Sequence, residues 1–112
     1  MNYLKHVLLL CFLQAFGVAA QGKLGFGAKV SVDGFFNPTV KAFKIVEVEP
    51  ASPAAKAGLK VGLDVIEVDG CQIPGCPASK AKELMDKHSG EILPLLVKDA
   101  DGTISLVKIE VL

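Results

Sequence analysis

The chain has 112 residues and a mass of 11.8 kDa, enough for one hydrophobic core and too little for two. An apolar fraction of 51% excludes a disordered chain. Twelve lysines balance twelve acidic side chains and there is no arginine, so the clustered cations and guanidinium forks of nucleic-acid binders are missing.

The first element is a targeting segment. Lys5 gives a positive start, Val7 to Phe16 is an apolar block broken only by Gln14, and Val18, Ala19 and Ala20 supply small residues of the A-x-A type. The block falls short of the roughly 20 apolar residues that span a bilayer. The pattern predicts a secretory signal peptide over residues 1–20, one domain over residues 21–112, and a periplasmic or secreted product with no membrane contact after cleavage. The other reading is an uncleaved N-terminal membrane anchor. Lipoprotein processing at Cys11 fits less well, because Leu10 stands where a small side chain is needed. Removal of residues 1–20 takes Lys5 away and leaves one excess negative charge.

In residues 24–32, Leu24, Phe26, Ala28, Val30 and Val32 alternate with Gly25, Gly27, Lys29 and Ser31, which predicts a strand. Asp33-Gly34 and Asn37-Pro38 mark a loop. Residues 42–48 predict a second strand, buried on both faces, with Phe43, Ile45 and Glu47 opposed to Lys44, Val46 and Val48. Ser52 is placed to cap a short helix over residues 53–57, with Pro53 at its first position and Gly58 at its end. A short strand over residues 65–68 closes at Asp69-Gly70.

Cys71 and Cys76 follow, spaced C-x4-C around the turn signal Pro74-Gly75. In an oxidising compartment they read as a disulfide whose loop closure is worth about 2 kcal/mol. The alternative is a pair of reduced thiols packed as small hydrophobes. A metal site lacks ligands, His88 being the one histidine after residue 20, and a redox pair would favour C-x-x-C. No metal or other cofactor is expected.

A second helix is predicted over residues 80–88, capped by Ser79 and stopped by Gly90, with Ala81, Leu84, Met85 and His88 on one face. Residues 92–98 and 103–111 are strands joined at Asp99-Ala100-Asp101-Gly102. The expected fold is mostly β with two α-helices: a small antiparallel, partly open barrel or sandwich capped by the helices.

Two stretches resemble a PDZ domain of the bacterial, exported, protease-associated type. Residues 49–62, running Glu-Pro-Ala-Ser-Pro-Ala-Ala-Lys-Ala-Gly-Leu-Lys-Val-Gly and followed by Val68-Asp69-Gly70, are similar to that family's S-P-A-x-x-A-G-L-x-x-G-D-x-I-x-x-V-[ND]-G pattern. Lys23-Leu24-Gly25-Phe26 resembles its G-L-G-F loop. Lys23 replaces a frequent glycine, and Leu63 a frequent aspartate, with Asp64 one place later.

The resemblance implies a non-catalytic module that binds C-terminal or extended peptide segments by strand addition, with service as an adaptor to an envelope protease or secretion complex as the expected role. A loop of Lys23, Leu24, Gly25, Phe26 and Gly27 would gather amides around a peptide carboxylate, since glycine permits the positive φ values required. The strand over residues 26–32 would be the free edge. Ala28, Val30, Ala81, Leu84, Met85 and His88 would line the groove. Related domains that choose a hydroxyl two places before the peptide end carry histidine at the helix start. Here that region is Ser79 to Ala81, so protein C-termini with apolar or small residues are the expected partners. On the residues alone, Gly25 and Gly27 also fit a bulged strand entry, Leu84 and Met85 fit ordinary core positions, and His88 fits a helix end.

An enzyme would need a nucleophile, a base and an oxyanion site. The chain has no G-x-S-x-G motif, and Ser52, Ser79 and Ser89 fall in cap or turn contexts. The alternative to a peptide binder is a structural, self-associating component of an envelope assembly with its groove filled internally, because the chain ends in the apolar segment Glu110-Val111-Leu112.

Overall fold

A computed structural model describes residues 24–112; the expected signal segment and Lys23 lie outside the described residues. The elements run β1 (Phe26–Asp33), β2 (Thr39–Val48), α1 (Pro53–Lys56), β3 (Asp64–Val68), β4 (Cys71–Gln72), α2 (Ala78–Met85), β5 (Ile92–Lys98) and β6 (Ile104–Glu110). They form an open antiparallel sheet in the order β1-β2-β3-β5-β6, with β4 paired to β3. Among the described residues β1 and β6 are therefore the two margins.

β2 is not buried on both faces. Phe43 and Ile45 are buried, whereas Lys44, Val46 and Glu47 are exposed. The register explains why simple alternation fails. Gly27 pairs with Glu47 and Ala28 with Ile45, so Val46 is an extra residue; Ser31 pairs with Ala42 and Val32 with Val40, so Lys41 is another. Each extra residue turns the following side chains over and bends the strand. Val40, Phe43 and Ile45 thereby share the core, with Val48 packed partly against it.

Ser52 caps α1 as its residue type dictates: its Oγ accepts the Ala55 N–H at 3.2 Å, and Pro53 fills the first turn. The Asp69-Gly70 pair makes a two-residue hairpin, with φ of 46° and 88°, between the partnered residues Val68 and Cys71. The two-residue strand β4 has too little sequence to show a period. At the β5–β6 turn, Asp99 Oδ1 accepts the N–H groups of Asp101 and Thr103, each at 2.9 Å.

α2 starts two residues before the expected position and stops three before it. Pro77 is the cap residue and Ser79 makes no capping bond. Main-chain bonds set the start instead: Ala78 N–H donates to the Pro38 carbonyl at 2.9 Å, and Val40 N–H to the Cys76 carbonyl at 2.7 Å. At the far end Asp86 leaves helical geometry, and Lys87 turns to Asp69, with Nζ 2.9 Å from Oδ2. His88 thus lies past the helix and exposed, its N–H donating to Glu91 Oε1 at 2.6 Å.

The core is one aliphatic cluster in which Ile45, Leu93, Leu95 and Ile109 are the largest fully buried side chains. Ala54 and Leu59 from the α1 region and Ala81 from α2 close it. Val111 is buried as well, with its main chain bonded to Gly90 and Glu91. The segment after β6 is therefore fastened to the residues that lead into β5.

Candidate functional site

Between β1 and α2 runs a groove of about 1040 Å³. Its β1 wall carries Phe26, Ala28, Val30 and Val32, which the period-two pattern sets on one face. Its helical wall carries Ala78, Ala81, Lys82 and Met85, the i, i+3, i+4, i+7 stripe of α2. Val40 and Phe43 lie at its floor side, and the Phe26 and Phe43 rings meet at 6.4 Å between centroids.

One end of the groove is formed by Leu24 and Gly25. Gly25 has φ of 87°, and a side chain there would place Cβ 2.2 Å from Ser52 Cβ and 2.5 Å from its Oγ. Only glycine fits, on conformation and on space alike. The backbone here is fastened to the α1 side. Ala54 N–H donates to the Leu24 carbonyl at 2.9 Å, and Glu49 N–H to the Gly25 carbonyl at 2.8 Å. Ser52 Oγ, on a residue only 6% exposed, lies 2.7 Å from the Glu49 carbonyl and 3.3 Å from the Gly25 carbonyl, its proton shared between them.

These bonds fix the amides. Both peptide units are trans, so each N–H opposes the carbonyl of the same unit. With the Leu24 and Gly25 carbonyls held toward α1, the N–H groups of Gly25 and Phe26 point away from it. The ladder agrees: Gly25 bonds toward β2, so by antiparallel alternation Phe26 turns its N–H and C=O to the open margin of β1. Two adjacent amides can thus donate to one anion at the end of a strand that still has ladder groups to offer.

The residues expected at this site divide into three groups. Leu24, Gly25, Phe26, Ala28, Val30, Ala81 and Met85 line the groove. Gly27, Leu84 and His88 do not. Gly27 sits against Glu47, Leu84 packs partly against the core, and His88 is beyond the helix. Lys23 lies outside the described residues. Ser52 was expected only to cap α1, yet it also holds the Gly25 carbonyl; no local sequence signal reports a bond across 27 positions. Ala78, Lys82 and Lys87 also line the groove, a consequence of where α2 starts and ends.

The helical wall is braced from behind. Cys71 and Cys76 are joined by a disulfide with Cα atoms 5.4 Å apart. Cys76 is buried, and its neighbours are tied to β2 through Gly75 N–H to the Val40 carbonyl, at 3.0 Å, and the Thr39–Pro77 bridge. The first turn of α2 is thus anchored to the strand that pairs with β1.

The PDZ domain family model matches residues 14–98. Syntenin-2 of Rattus norvegicus is 29% identical over 79 residues, covering 70% of this chain and 24% of that protein. Syntenin-2 of Mus musculus is 28% identical over the same length, with the same coverage. The chain therefore spans about a quarter of these curated relatives. Among solved structures, the photosystem II D1 C-terminal processing protease superposes with a TM-score of 0.58 at 18% identity, over 88% of this chain and 26% of that one. An HtrA-type protease, AlgWS227A with decapeptide, superposes with a TM-score of 0.55 at 17% identity, over 95% and 34%. At such identities the likeness is one of fold.

Proposed function

Since the chain belongs to the PDZ domain family, whose members generally bind peptide C-termini, we propose that it is an exported peptide-binding module that captures C-terminal segments by adding them as a strand beside β1. The observation that carries this reading is the pair of Gly25 and Phe26 amides turned away from α1 at the end of an open sheet margin. A terminal carboxylate would accept from both, and the preceding residues would pair with β1. The last side chain would enter the apolar end between Leu24, Phe26 and Met85.

α2 opens on Ala78 and continues with Ala81 along the groove. Small apolar side chains there favour apolar or small ligand residues over a serine or threonine two places before the end. The family match covers a module that is typically non-catalytic. Three side chains of the nucleophilic type are committed elsewhere: Cys71 and Cys76 to each other and the Ser52 hydroxyl to main-chain carbonyls. Export rests on the pattern of residues 1–20, and a role as an adaptor that presents protein ends to an envelope protease belongs to the same proposal.

A titration of apolar-ended peptides tests the reading. The free acid is expected to bind at least about tenfold more tightly than the C-terminal amide, because charge-assisted bonds to main-chain amides are the stronger kind. Equal affinity for both forms would overturn it.

A further inference from the structure

The sheet's other margin is β6, and among the described residues no strand lies beyond it. Its sequence has a property unrelated to the groove. Residues 106–112 read Leu-Val-Lys-Ile-Glu-Val-Leu, the same in both directions about Ile109 except that Lys108 faces Glu110. Two copies laid antiparallel about a twofold axis at Ile109 would set Leu106 against Leu112, Val107 against Val111, and lysine against glutamate, each pair occurring twice.

The main chain suits this register. Val111 N–H donates to the Glu91 carbonyl at 2.9 Å and the Val111 carbonyl accepts from Gly90 at 2.8 Å, while the Thr103 carbonyl accepts from Asp99 at 3.0 Å. Odd-numbered residues thus bond toward β5. By alternation Leu106, Lys108 and Glu110 direct their ladder groups to the open margin, and Leu112 follows two residues past the end of the strand. An axis at Ile109 pairs these outward groups with one another. The side chains follow suit. Leu106 and Leu112 are 57% and 62% exposed, and Lys108 and Glu110 are exposed between them. Leu106 also stands beside Leu96 of β5, so Leu112 of a second copy would extend an apolar row already begun on the outer face.

Neighbouring registers are worse. An axis at Lys108 sets lysine against lysine and Leu106 against Glu110. An axis at Val107 sets Leu106 against Lys108 and Ile104 against Glu110. Matched cross-strand pairs favour one register, and like charges directly opposite disfavour its competitor.

We propose that this chain forms a twofold dimer by antiparallel pairing of β6 with β6 of a second copy, centred on Ile109. The occupant of the margin is the chain itself, by charge complementarity. The two β1 margins stay at the outer ends of the continuous sheet, so the dimer holds two grooves and gains avidity for clustered peptide ends. The pairing is short and its affinity correspondingly modest.

Sedimentation equilibrium on the full chain and three variants tests this, without reference to peptide binding. Lys108→Glu and Glu110→Lys each place like charges opposite one another at both equivalent pairs, and each is expected to weaken the dimer roughly tenfold or more. Lys108→Glu/Glu110→Lys restores opposite charges and is expected to return the dissociation constant to near the unmodified value. Both side chains are exposed, so thermal melting should show all variants folded. A chain that stays monomeric at high micromolar concentration, single variants that dimerise unchanged, or a double variant that does not recover would each overturn the proposal.

Discussion

Gly25 and Ser52 are 27 positions apart, yet they share one small space and one hydrogen bond. The Gly25 backbone is left-handed because its carbonyl must reach Glu49 and Ser52, and its missing Cβ leaves the space that Ser52 fills. Gly25→Ala therefore adds conformational strain to a collision with a buried side chain, and should lower unfolding free energy by about 2 kcal/mol or more. Ser52→Ala removes the α1 cap and the hydroxyl that steadies two carbonyls, and should cost about 1–2 kcal/mol. Urea unfolding checks both figures. Because the same bonds aim the Gly25 and Phe26 amides, both variants should lose affinity for free-acid peptides while affinity for the amide forms changes little. A folded Gly25→Ala variant with native affinity for the acid would mean that loop geometry does not set binding.

At the scale of elements, the disulfide ties groove shape to stability. It joins β4 to the residue before the α2 cap, and the Gly75 and Ala78 main-chain bonds carry that anchor to β2 and the preceding loop. Cys71→Ser should lower stability by about 2 kcal/mol through loop-closure entropy. It should also weaken peptide affinity under conditions where the protein remains folded, because the first turn of α2 loses its brace. Unchanged affinity would show that the main-chain bonds alone hold the helical wall. The elements also show where the sequence was readable. β5 matches its expected span, because a continuous apolar run lies between the Gly90 and Asp99–Gly102 turn signals, and α1 follows from Ser52-Pro53 chemistry. β2 misled because the two extra residues in its register interrupt the period, which no window of seven residues reveals. α2 misled because tertiary bonds to Pro38 and Asp69, not the Ser79 and Gly90 signals, mark its ends. That shift brought Ala78 into the groove and put His88 outside it.

For the whole molecule, the sheet order separates two margins with different offers. β1 presents ladder groups beside a lined groove and two converging amides, which suits a ligand with a charged end. β6 presents a self-complementary row, flanked toward its end by a small hollow shared with Pro53 and Lys56 of α1, and that row suits its own copy. Between them the core depends on strands far apart in sequence, with Ile45, Leu95 and Ile109 fully buried together, so the margins are held at fixed separation. The proposed chemistry at the β1 margin is local, and it can be read amide by amide. The most direct measurement is a nitrogen–proton NMR titration of the labelled chain with an apolar-ended peptide acid. The Gly25 and Phe26 amide protons should move downfield and saturate together, with smaller changes along Ala28 and Val30. Perturbations that spare Gly25 and Phe26 while the peptide demonstrably binds would contradict the account.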